Sequence, residues 1–73
     1  MSVVADVEYQ LSQMKREAGE TDKDFAIRLF GRQMEVYSAN AGRDLWDGTP
    51  EEEFARFSAE ARASWIERAK KQS

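Results

Sequence analysis

The stretch from Asp24 to Ala41 leaves this chain little choice of fold. At about 100° per residue, Phe25, Ala26, Ile27, Leu29, Phe30, Met34, Val36, Tyr37 and Ala41 fall within half of a helical wheel. Thr21 or Asp22 can cap the start, acidic residues crowd the first turn, and Gly42 supplies the left-handed stop common at helix ends. The spacing therefore predicts a helix over 22–41. So wide an apolar face needs at least two neighbours to cover it, and in 73 residues only the flanking segments can supply them. Gly31 sits inside this helix at a cost of about 1 kcal/mol relative to Ala. Close packing of another helix is the expected reason. Arg28 and Arg32, one turn apart, fall on the opposite, exposed ridge.

The flanks read as helices too. Val4, Val7, Leu11, Met14 and Ala18 recur at spacings of 3, 4, 3 and 4, one seam of a helix over 2–18. Ser2 can cap it, Lys15 and Arg16 suit the negative end of its dipole, and Gly19 can stop it. The seam is narrow, so this helix is expected to dock loosely. Its Val4, Val7, Leu11, Met14 face suits a partner's groove, a second copy of the chain, or plain packing on the central helix. After a connector over 43–48, Thr49-Pro50-Glu51-Glu52 has the form of a capping box with proline at the first helical position. Helix-start chemistry accounts for Glu51, Glu52 and Glu53 more cheaply than a metal site does. Ser58 reads as a further N-cap, dividing the remainder into helices over 50–57 and 59–71. Phe54, Phe57, Ala61, Trp65 and Ala69 form the inward stripe, with Ile66 beside it, and Lys70 to Ser73 read as a frayed tail. Trp46, the aromatic side chain of its connector, is expected to fold back as a lid. The fold class is all-α: one compact three- or four-helix domain over 1–73, with no sheet.

Composition narrows the function. The chain has neither cysteine nor histidine. That removes disulfides, a structural zinc site, the best thiol nucleophile and the usual general base. The carboxylates fall at caps and on solvent faces, and the four glycines are too scattered for a phosphate loop. No catalysis and no cofactor are expected. The N-terminal residues lack a basic region and meet Asp6 early, and no apolar run approaches the roughly 20 residues needed to span a bilayer. Cytoplasm is the expected location.

Charge is distributed unevenly. Net charge is −3, yet residues 54–73 carry Arg56, Arg62, Arg68, Lys70 and Lys71 against Glu60 and Glu67 alone. The run from Phe57 to Lys71 resembles the C-terminal part of an HMG box, with an apolar residue, a Ser cap, acids, an aromatic and Ala-Lys in the same order. That resemblance implies nucleic-acid binding through Arg56, Arg62, Arg68, Lys70 and Lys71, with Trp46 as the candidate wedge. The series Tyr37, Gly42, Trp46, Phe57, Arg62, Trp65, Ala69 also resembles short helical proteins of bacteriophages. That second resemblance, to proteins of unassigned activity, implies a phage-type origin. The narrow first seam, the acidic N-terminal two-thirds and the missing catalytic groups suggest a small regulator or inhibitor docking on a host protein. A protein-binding module is the favoured expectation, and an HMG-like nucleic-acid binder is the alternative.

Overall fold

The computed structural model describes residues 2–72. It folds them into four helices, α1 (Val3–Ser12), α2 (Asp22–Ala41), α3 (Pro50–Ala55) and α4 (Ala59–Gln72), and no strand lies among the described residues. The all-α class holds, and four helices rather than three are present. α2 is the hub, packing on α4, α1 and α3. Its Phe25, Ala26, Leu29, Phe30, Met34 and Val36 are buried against Val7 and Leu11 of α1, Phe54 of α3 and Ala69 of α4. The chain exposes 4979 Å², against about 12,000 Å² for an extended chain of this mass. A core this thin depends on each large side chain.

Local chemistry sets most helix ends. Thr21 Oγ1 accepts the Asp24 N–H at 3.1 Å, so α2 begins at Asp22. Gly42, at φ 75°, closes α2 in the left-handed conformation that a side chain would strain. Thr49 and Glu52 exchange the two hydrogen bonds of a capping box, at 3.3 and 3.0 Å. Ser58 Oγ accepts the Ala61 N–H at 3.1 Å, which confirms two helices after residue 50. α3 ends at Ala55 rather than at 57. Arg62 accounts for the short end, donating to the carbonyls of Ala55 and Phe57. Gly31 is buried where an added Cβ would lie 3.1 Å from Pro50 Cγ, the close packing its position implied.

α1 departs most from expectation. It stops at Ser12, six residues before Ala18, and Gly19 instead takes φ 79° in the turn Glu17–Glu20. The reason is tertiary. The Gln72 side-chain amide donates to the carbonyl of Leu11, which also accepts the Met14 N–H, and at 3.1 Å to that of Met14, so the far end of the chain ties down the turn that closes α1. Arg16 returns the arrangement by donating to Ala69 O of α4 at 3.3 Å. α4 thus runs to Gln72 as a docked end rather than a frayed one, and Ser73 lies outside the described residues.

Candidate functional site

The partner-binding seam of α1 does not form a free face. Leu11 is 0 % exposed and Val7 2 %, both in the core, and Met14 is half-buried against it. Only Val4, 57 % exposed, remains available from that set. Burial of Leu11 and Val7 against α2 is the plain packing on the central helix that the seam also allowed.

The basic candidates are also engaged. Arg56 pairs with Glu53 at 2.9 Å, Arg62 holds the end of α3, and Arg68 grips both Glu8 oxygens at 3.2 and 3.0 Å across the α1–α4 contact. Lys70 has a partner of its own, and Lys71 is exposed. Arg62 and Arg68 therefore link helices, while Arg56 pairs locally at the end of α3. A guanidinium bound this way must break an internal contact before it can meet a phosphate.

Two places bring carboxylates and an aromatic ring together. The first centres on Phe25 at the start of α2. The guanidinium carbons of Arg16 and Arg28 lie 5.4 and 5.2 Å from its ring centroid, within cation–π range. Each arginine has its carboxylate: Arg16 bonds Asp22, and Arg28 bonds both oxygens of Glu20 at 2.6 and 2.8 Å. Arg28 also donates to Lys15 O at 2.7 Å, tying the 13–21 loop to α2. Arg28 is therefore a loop clamp, not the bare ridge residue its wheel position suggested. Its hydrogen bonds hold the Glu20 carboxyl at about 2, below the ordinary 4.5, and the same contact raises the Arg28 pKa.

The second place centres on Trp46. The expected lid is present, since Trp46 packs half-buried against the core. It also walls a cleft of about 450 Å³, with Met34 and Pro50 as apolar neighbours and Glu35, Asp44, Asp47 and Glu52 around them. No basic residue lines it. Glu35 is shared with Arg32 at 3.4 Å, and Glu52 serves the α3 cap, where the Thr49 N–H holds its carboxyl low. Asp44 and Asp47 make no side-chain hydrogen bond or ion pair among the described residues. Between them Leu45 stands 42 % exposed, its N–H bonded to Ser38 Oγ at 3.2 Å. That bond and the Thr49 cap anchor the connector at both ends.

For chemistry the arrangement offers little. Among the described residues no polar or charged side chain is buried, and no group of three or more acids is placed to hold a metal ion. No helix among them is long and apolar enough to cross a membrane. Comparison with protein-family models, with curated proteins and with solved structures returns no match. Sequence reading missed the Trp46 cleft as a candidate site. The available signal was Asp44-Leu45-Trp46-Asp47, two apolar residues between two acids in a short connector.

Proposed function

We propose that this protein is a small, non-enzymatic binding module that docks on another protein through its 43–48 connector. It acts as a regulator or inhibitor of that protein. One observation carries the reading: an anchored loop holds Leu45 in water beside the Trp46 cleft, while Asp44 and Asp47 have no side-chain partner among the described residues. Exposed apolar side chains next to a half-open aromatic, rimmed by charge, are what protein interfaces bury. The buried Val7 and Leu11 and the engaged arginines support this surface over the α1 seam and over nucleic acid.

Site-specific photo-cross-linking tests it. A benzoylphenylalanine replacing Leu45 is expected to capture a protein in native lysate, insensitive to nuclease. The same group at exposed Ala63 of α4 is expected to capture nothing specific. Equal capture at both positions, or adducts that nuclease removes, would overturn the reading.

A further inference from the structure

The Phe25 cluster and the Trp46 cleft are built from the same parts with one omission. At Phe25 a buried ring, two carboxylates and two guanidiniums complete one another within the chain. At Trp46 the ring and carboxylates are present and the cation is not. We propose, resting on the docking reading above, that the Trp46 cleft receives an arginine side chain from a basic segment of the partner protein.

Charge complementarity selects the occupant. Four carboxylates ring an apolar wall, no basic residue offsets them from within, and two of the four are unpaired among the described residues. An anion would be repelled by the four carboxylates, and a neutral aliphatic side chain would displace water from Asp44 and Asp47 without compensating their charge. Among cations, guanidinium fits best. It is planar, weakly hydrated, stacks on aromatic rings and presents two donors to a carboxylate, whereas an ammonium keeps its water and acts as a point charge. The stem of the arginine would lie against Met34 and Pro50, and its head would reach Asp44 and Asp47. The neighbouring Leu45 gives the partner segment an apolar contact outside the cleft. The recognised chemistry is thus an arginine adjacent to an aliphatic residue.

The test is a two-dimensional NMR titration of the full chain with a blocked hexa-arginine peptide, set against hexalysine. The expected result is a saturable shift of the Trp46 indole N–H and of the Asp44, Leu45 and Asp47 amides. The Phe25 cluster and the Trp65 indole should stay still, and hexalysine should bind several-fold more weakly. Asp44→Asn with Asp47→Asn should weaken hexa-arginine about tenfold or more, with the remaining spectrum unchanged. Trp46→Leu keeps the apolar lid and should erase the preference for arginine over lysine. Shifts spread over all exposed acids, equal binding of the two peptides, or concentration-dependent shifts without peptide (a second copy in the cleft) would each overturn the proposal. Loss of peptide binding together with a specific cross-link at position 45 would remove the arginine and leave the docking surface standing. Loss of both would remove the docking surface too.

Discussion

The Phe25 cluster and the Trp46 cleft differ in where their cation comes from. Arg16 and Arg28 reach Phe25 from the 13–21 loop and from α2, and in doing so close the loop onto the helix and link it to α4. Around Trp46 the chain supplies the ring and the acids, and none of its eleven basic residues lines the cleft. The lesson is that a charge gradient along a sequence is a poor guide to a binding surface. The basic last third looked like the polyanion-binding end, yet its arginines hold α3 and α1 in place. On the docking reading proposed above, the surface offered to a partner is an acidic gap beside a tryptophan.

That contrast can be broken most directly at the rings. Phe25 is fully buried, so Phe25→Ala should cost about 3–5 kcal/mol in urea denaturation, most of what so small a domain has. Trp46 is half-exposed, and Trp46→Ala should cost about 1–2 kcal/mol. Equal losses at the two positions would mean the Trp46 lid is as structural as Phe25.

A smaller effect separates the carboxylates. Glu20 titrates near 2 in the folded chain and near 4.5 when free. The unfolded state therefore binds more protons between those values, and stability falls as pH drops from about 4.5 toward 2. Glu20→Gln should lower stability at neutral pH and flatten that part of the acid profile, read from the urea midpoint at each pH. An unchanged profile would show that the Arg28 clamp contributes nothing. At the lower end of the scale, Thr49→Ala removes the cap that ends the connector and should cost about 1 kcal/mol. It should also blur the cleft, seen as broadened amides over 44–48. A sharp, unshifted loop would mean that Ser38 alone anchors it.

How much of this was legible depends on the distance over which each feature is determined. The starts of α2, α3 and α4 and the end of α2 were readable, because Thr21, Thr49, Ser58 and Gly42 act on backbone groups within a few residues. The end of α1 was not. It depends on Gln72, 61 residues from Leu11, and on the reciprocal reach of Arg16 to α4, which no helical wheel contains. Arg28 fell on the polar side of its wheel and looked free, since its partner Glu20 sits in a preceding loop whose path the wheel does not show. Of the uses the narrow α1 seam left open, packing on the central helix describes Val7 and Leu11, because α2 needed them to complete its core. Trp46 was legible as a lid, while the emptiness beside it required the positions of Asp44, Asp47 and Glu35 together.

The most direct measurement is the urea midpoint of three proteins, each taken with and without the hexa-arginine peptide. The account predicts that the peptide raises the midpoint of the unaltered chain, as any ligand of the folded state must. Asp44→Asn with Asp47→Asn should start from the same midpoint and show no rise, and Glu20→Gln should start lower and show the full rise. The contradiction would be the reverse pattern, with the Asp variant unstable on its own or the Glu20 variant blind to the peptide. That outcome would place the foreign cation at Phe25 and leave the Trp46 cleft as ordinary surface.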